Sequence, residues 1–512
     1  MNEDQSEAIA FLREPSSYGA GGDRVDIVET HISMVFLAGK TVYKLKRAVR
    51  YPYLDFSTSE RRREACEAEL ALNRRTAPRL YLEVCPLSRD AKGRIGFGAR
   101  GEAVDWVVVM RRFDEELLFD RLARAGRLSA SLMESLADEV ARFHETAERR
   151  PLFGGAAELL ATVEENDRCL SAAPRGLFSE EGVAAIGREA RARIASLGAL
   201  IEARRKEGKV RRCHGDLHLN NICLFEGRPT LFDCLEFSES LASIDTLYDL
   251  AFLLMDLEHR KEGAFANRVL NRYLDSTDEE EGLALLPLFI SLRAAIRAHV
   301  TAATIAAMEK PQTKPELLSE ARAYLALGLE VLAPARPRLI AVGGPSGTGK
   351  TTLAQRLAPE LGARPGARVL RSDVLRKRLM GVAPETPLPP SAYRSLVSRG
   401  VYAMLREKAA AALAAGSAAL VDAVSLSPED RRAFAAVAEK AGVPFTGLWL
   451  GAPAGVLEGR VGGRRGDASD ATVAVLRQQL RGDPGPIDWI KIDAGGTPED
   501  CLAAARAALS GA

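Results

Sequence analysis

Over the first ~110 residues, short apolar runs are broken by charged turns, and the repeat is close to two. Val25–Glu29, Ser33–Leu37 and Thr41–Lys46 have strand spacing, the last two joined by the tight-turn signal Ala38-Gly39-Lys40. Alternation within Thr41–Lys46 puts Val42, Lys44 and Lys46 on one face and Tyr43 and Leu45 on the other. One helix, dense in Arg and Glu, is predicted over Ser59–Arg75, followed by strands at Tyr81–Leu87 and Trp106–Met110. From Ser129 to about Leu332 the repeat becomes helical, interrupted by a single compact β-like stretch, Cys213–Glu236. Pro334-Ala335-Arg336-Pro337 stops the Glu316–Leu332 helix, because proline lacks the N–H and clashes with the preceding turn. Beyond it, strands 339–343, 367–370, 418–422 and 445–450 alternate with helices 349–361, 391–415 and 428–441. That rhythm predicts a doubly wound parallel sheet. The chain therefore divides into 1–333, a linker at 334–337, and 338–512.

The first strand after the linker runs into Gly344-Pro345-Ser346-Gly347-Thr348-Gly349-Lys350-Thr351-Thr352, which fits the G-x-x-x-x-G-K-[ST] phosphate loop. Glycines let backbone N–H groups converge on phosphate oxygens, and the following helix presents its positive end to the anion. Lys350 adds a charge near the β/γ-phosphates, and the Thr351 hydroxyl is placed to hold Mg²⁺. Downstream, Asp373 follows a strand end at the mouth of the sheet, where open α/β folds place ligands. Arg376 lies one helical turn on, so the pair suggests an acceptor site: Asp373 contacting or deprotonating a hydroxyl, Arg376 holding a polar or anionic group. The plain alternative for Asp373 is a helix cap. The run ALVDAV ends in Asp422, a Walker-B type candidate for Mg²⁺. Arg460, Arg464 and Arg465, flanked by glycines, suggest a lid that closes on the triphosphate, with a basic surface helix as the alternative.

A second catalytic pattern lies upstream, inside the β-like interruption. His214-Gly215-Asp216-Leu217 with Asn221 fits H-x-D-L-x-x-x-N, and Asp233 ends a short apolar strand further on. Phosphoryl transfer to a hydroxyl needs a carboxylate for the proton and oxygen ligands for Mg²⁺. Asp216 suits the first role; Asn221 and Asp233 suit the second. The spacings of Cys213, His214, His218, Cys223 and Cys234 match no common zinc site, and His218 reads as a hydrogen-bonder within the loop.

Composition changes this picture only at the margins. At 512 residues the chain is too long for one ordinary core. A net charge of +1 provides no global field, which disfavours nucleic acid or a membrane surface as the main partner. Seven cysteines with no C-x-x-C pair and an acidic start without an apolar segment lead us to expect a cytoplasmic protein with reduced thiols.

The upstream motifs, HGDLH-x-x-N at His214–Asn221, Asp233-Cys234-Leu235-Glu236 and Asp249-Leu250-Ala251, resemble the aminoglycoside phosphotransferase-like and choline kinase-like family. The resemblance implies an α+β protein-kinase-like two-lobed domain with ATP between the lobes. It also implies a lysine on the third strand paired to a helix glutamate. Lys44 fits, with Lys46 on the same face as the rival; Glu69 fits because Ala65, Cys66, Leu72 and Asn73 are its neighbours, whereas Glu67 sits beside Arg63 and Glu64. No Gly-rich loop joins the first two strands, so phosphate cradling there would fall to Ser33 and backbone N–H groups. Adenine contacts are expected from the backbone around Met110–Phe113. GPSGTGKTT, RSDVLRKRL, LVDAV and RVGGRRGDASDAT resemble the P-loop kinases grouped with gluconate kinase, zeta toxin and polynucleotide kinase, an α/β P-loop NTPase fold. Together these imply a tandem ATP-dependent phosphotransferase using Mg²⁺ and acting on a small-molecule hydroxyl. The alternatives are a regulatory or toxin-like protein with one active half, or a polynucleotide 5′-kinase.

Overall fold

The computed structural model describes residues 3–21, 24–51, 54–98, 101–308, 314–463 and 468–510. The chain forms two compact units, Met1–Glu158 with Ile201–Leu253, and Leu159–Leu200 with Leu254–Ala512.

In the first unit, a six-stranded antiparallel sheet runs Val25–Glu29, Ser33–Ala38, Thr41–Lys46, Glu102–Arg111, Tyr81–Arg89, Ile95–Phe97 from edge to edge. The alternation expected in the third strand is present: Leu45 and Tyr43 pack with Met34, Phe36 and Val107, while Val42 packs with Leu37, Cys66 and Val108. The predicted helix is Ser59–Asn73, capped by Thr58, whose side chain accepts from Arg61 N. A second helix, Ser6–Arg13, corrects the one-helix expectation. Its charged sequence hides the two residues that hold it down: Ala8 and Leu12, one turn apart, are fully buried against the sheet. Cys213–Glu236 is less regular than expected, a loop followed by the hairpin Ile222–Phe225/Arg228–Leu231. A separate two-stranded ribbon pairs Val210–Arg212 with Ser243–Asp245.

The second unit contains a parallel five-stranded sheet, ordered Arg368–Arg371, Ala419–Asp422, Leu339–Gly343, Phe445–Gly451, Ile490–Asp493. The last strand escapes the sequence pattern because only Ile492 of its four residues is buried. The helix expected over 349–361 stops at Leu357, and a 3₁₀ turn carries Pro359, which has no N–H to continue it.

The boundary expected at 334–337 does not coincide with a boundary between compact units. Residues 334–338 are irregular, but helices on either side of them pack together. Arg368–Arg371 is an edge strand, and its free backbone groups are met by asparagines one turn apart on helix Gly263–Thr277. Asn271 Oδ1 accepts from Val369 N at 2.7 Å, and Asn267 and Asn271 Nδ2 donate to Ala367 O at 3.0 and 3.1 Å. Fully buried Arg368 pairs with Asp275 at 2.7 Å and Glu280 at 3.0 Å. Helix Leu286–Ala306, with the turn Glu280–Leu285, is long and apolar enough to cross a membrane, yet 67% of the apolar window is buried inside the protein.

Candidate active sites

The upstream site gathers side chains far apart in sequence. Lys44 Nζ lies 2.9 Å from Glu69 Oε1 and 2.6 Å from Asp233 Oδ1. Lys46, fully buried, pairs with Glu69 and Glu236, so the two candidate lysines share one glutamate. Burial works against the charge on Lys44, but Asp233 and Glu69 outweigh it and hold its pKa well above the usual lysine range. Burial likewise pushes Glu69 towards neutrality, and the two lysines prevail and hold it below the ordinary glutamate value. Glu236 moves the other way, raised by burial. Glu67 is half exposed and bonded to Arg63.

Asp233 occupies the left-handed region at φ 62°, unusual for a residue with a Cβ, and its N–H donates to the Tyr81 hydroxyl at 3.2 Å. Both amide hydrogens of Asn221 go to Asp216, one to its carbonyl and one to Oδ2, each at 2.9 Å. What Asn221 offers a cation is therefore its side-chain oxygen. His218 Nε2 approaches Asp216 Oδ2 at 3.3 Å while Nδ1 accepts from Asn220 N, the loop-bonding role expected of it. His214 Nε2 lies 2.9 Å from Phe232 O, and its Nδ1 lies 3.3 Å from Asp216 N, so both ring nitrogens are engaged within the loop.

From the sequence, Asp249 stands out only as part of the Asp249-Leu250-Ala251 motif. In the structure its buried carboxylate accepts from His214 N at 3.0 Å, Gly215 N at 2.8 Å and His144 Nε2 at 3.0 Å, and so holds the loop carrying Asp216. His144, Cys213 and Asp249 bring ligand atoms within 4.8 Å of one another. His144 and Asp249 bond each other, and Cys213 Sγ is directed to Ile244 O. Ser33 is buried in register with Lys46, its Oγ without a hydrogen-bond partner, so it faces the interior and not a surface phosphate.

The downstream phosphate loop is contiguous. Gly344, Gly347 and Gly349 all have positive φ; at Gly344 (φ 130°) a Cβ would lie 2.3 Å from Leu450 O. Pro345 O accepts from Thr348 Oγ1 at 2.9 Å and Lys350 Nζ at 3.0 Å. Ser346 N donates to Gln479 Oε1 at 2.8 Å, a contact with no sequence signal because Gln479 lies on the distant helix Val473–Arg481. Thr351 Oγ1 donates to Asp422 Oδ2 at 2.6 Å, while Thr352, next on the helix, is exposed.

Asp373 sits in the first turn of helix Ser372–Leu379, whose N-cap is Arg371, so it is not the cap. Lost hydration raises its pKa, as does the charge of Asp422; Arg371, a Ser469 hydrogen bond and Lys350 pull the other way. Arg371 lies 3.6 Å from Asp422 Oδ2 and 3.5 Å from Thr351 Oγ1, a central position that sequence reading passed over. Arg376 is buried, donates to Ala392 O at 2.8 Å and stacks on Tyr393 at 4.7 Å; its Nε has no hydrogen-bond partner. Arg460 departs from the lid expectation. It lies in helix Ala454–Gly462, and its terminal nitrogens donate to Ala494 O and Gly496 O at 2.7 and 3.0 Å. Arg464 and Arg465 lie outside the described residues.

Residues 42–286 match the phosphotransferase enzyme family and residues 339–483 match an AAA domain. Uncharacterised proteins of Mycobacterium tuberculosis and Mycobacterium bovis are each 31% identical over 461 residues, covering 88% of this chain and 88% of theirs. Similar solved structures include a choline/ethanolamine kinase family protein from Mesorhizobium loti, 13% identical, covering 64% of this chain and 99% of that one, with a TM-score of 0.38. Another is a gluconokinase from Sinorhizobium meliloti, 22% identical, covering 34% and 92%, with a TM-score of 0.25. The chain belongs to one family with these mycobacterial proteins, a kinase that joins a phosphotransferase-family segment to a P-loop segment of AAA-domain type.

Proposed function

We propose that the chain is a tandem ATP-dependent phosphotransferase, each half moving the γ-phosphate of ATP to a hydroxyl of a small molecule of sugar, amino-sugar or nucleotide-sugar type. The observation that carries this reading is that each half joins a candidate base to a separate oxygen-ligand set. Upstream, Asp216 stands beside Asn221, with Lys44 bridging Glu69 and Asp233. Downstream, Asp373 stands near the Thr351–Asp422 pair and Lys350.

Both ligand sets are hard oxygens carrying one carboxylate each, which suits Mg²⁺ with several waters retained. Asn221 and Asp233 would hold it upstream, Thr351 and Asp422 downstream. When bound, Mg²⁺ neutralises phosphate charge. Asp216, oriented by Asn221 and His218, takes the proton from the upstream acceptor hydroxyl. Lys44, kept charged, meets phosphate oxygens. In the downstream half Asp373 takes the corresponding proton, and the backbone of 344–351 with Lys350 binds phosphate. Catalysis here is positioning and charge stabilisation, with little covalent work for the protein. None of the seven cysteines is in a disulfide, which fits a reducing compartment, and we place the protein in the cytoplasm.

The test is ATP turnover of the whole chain against a library of sugars, amino-sugars, nucleosides and nucleotide-sugars, in wild type, Asp216→Asn and Lys350→Ala. Two separable activities are expected. One substitution silencing both would overturn the two-site reading, and activity confined to oligonucleotide 5′ ends would turn it to a polynucleotide kinase. The Gln479 contact to Ser346 N favours a second reading for the downstream half alone, a nucleotide-binding regulatory module. ATP binding without turnover by that half would select it.

A further inference from the structure

We infer that the segment Glu3–Arg13 is part of the upstream catalytic machinery, and that Gln5 is a positioning residue for the Lys44–Glu69 pair. The inference rests on the upstream half of the function proposed above. The match to the phosphotransferase family begins at residue 42, well after this segment.

Gln5 is 8% exposed, and its carboxamide is fully used. Nε2 donates to Lys46 O and to Asp105 Oδ2, both at 2.8 Å, and Oε1 accepts from Ala48 N at 2.6 Å. Asp105, fully buried, accepts on Oδ1 from Arg62 Nε at 2.8 Å. Arg62, Cys66, Glu69 and Asn73 form the buried face of helix Ser59–Asn73. One side chain thus ties the end of the strand carrying Lys44 and Lys46 to the helix carrying Glu69, through Asp105 and Arg62. Glu3 acts on the same helix at its start. Its N–H donates to Ser57 O at 2.9 Å, and its carboxylate accepts from Ser59 N and Arg62 Nη2. An anion there also meets the positive end of the helix.

Ala8 and Leu12 anchor the segment in the core formed by Met34, Phe36, Leu45 and Val107. Gln5 touches none of the groups assigned to nucleotide or acceptor, so it acts through others. A buried ion pair tolerates little displacement, and a 1 Å misplacement far from the chemistry can cost about 10²-fold in rate.

The test compares Gln5→Glu and Gln5→Met in the full chain. Gln5→Glu preserves shape but turns a carboxylate towards Lys46 O and Asp105; Gln5→Met preserves bulk without polar atoms. ATP hydrolysis by the full chain carrying Lys350→Ala reads the upstream half alone, with kcat and KM determined separately. Both Gln5 variants should lower kcat by up to about 10²-fold with KM for ATP little changed. Glu69→Gln should do the same, and adding Gln5→Met to it should lower kcat no further, because Gln5 acts through Glu69. A kcat unchanged in both Gln5 variants but lowered by Glu69→Gln overturns the positioning role, as does a full further loss in the double variant. If Glu69→Gln itself changes nothing, the Lys44–Glu69 reading fails and takes this inference with it.

Discussion

The two candidate sites reach similar chemistry by opposite routes. Downstream, phosphate-loop residues 344–352 are contiguous, and their geometry is written into glycines at φ values that side chains resist. Upstream, Lys44, Glu69, Asp216 and Asp233 come from three separate parts of the chain and meet only through packing. A local loop depends on its own backbone. A distributed constellation depends on the elements that carry it, here a strand, a helix and a strained loop end. The upstream site should accordingly be the more sensitive to remote substitutions, and the downstream site to changes within its own few residues.

The largest effect that would break this comparison is loss of a core group. Asp216→Asn should lower upstream turnover by about 10²–10⁴-fold, the range for a general base, and spare the phosphate loop. Gly344→Ala should do the reverse, since its Cβ has no room against Leu450 O; nucleotide-binding titrations would read it directly.

Next in size is Arg368→Met. It leaves Asp275 and Glu280 buried without their cation, so about 3–5 kcal/mol of stability should be lost in urea unfolding. Because those partners lie on helices before the linker, amide protection should fall on both sides of it, in helix Gly263–Thr277 and in strand Arg368–Arg371. Loss confined to 338–512 would make the linker a true folding boundary.

A subtler contrast is in pH dependence. Lost hydration, then the Asp422 charge, raise Asp373, so its protonated form persists to higher pH than in a free aspartate. The acid limb of the downstream pH–rate profile should therefore lie at higher pH than a free aspartate would give. Arg371 favours the ionised form, so Arg371→Met should move the limb higher still; a downward move would exclude Asp373 as the group titrating.

The smallest expected effect is Gln479→Ala, which frees Ser346 N–H. The KM for ATP downstream should fall about threefold, in line with one hydrogen bond worth about 0.5–1.5 kcal/mol. A rise would mean that Gln479 assists nucleotide binding.

Much of the fold was legible because its signals are local. Strand Thr41–Lys46 and helix Pro428–Ala441 have the bounds that periodicity predicts. Glu69 could be chosen over Glu67 from its helical neighbours, and the two do differ in burial, one enclosed and one half exposed. Strand Ile490–Asp493 and helix Ser6–Arg13 were missed because few of their residues are buried and apolar. Arg376 and Arg460 show the limit on charged residues: sequence put arginines near the site, but burial and nearby carbonyls decide what each guanidinium meets.

The sequence by itself determined the two motifs, the order of the segments and the faces of their regular elements, since backbone period and glycine conformation act over a few residues. Tertiary structure alone decided that Lys44 and Lys46 share Glu69, that Asp249 and His144 hold the Asp216 loop, and that helices before the linker cover the P-loop sheet edge. Those outcomes depend on buried charges and unpaired backbone groups finding partners far along the chain, because an unmet one costs more than the interaction it replaces.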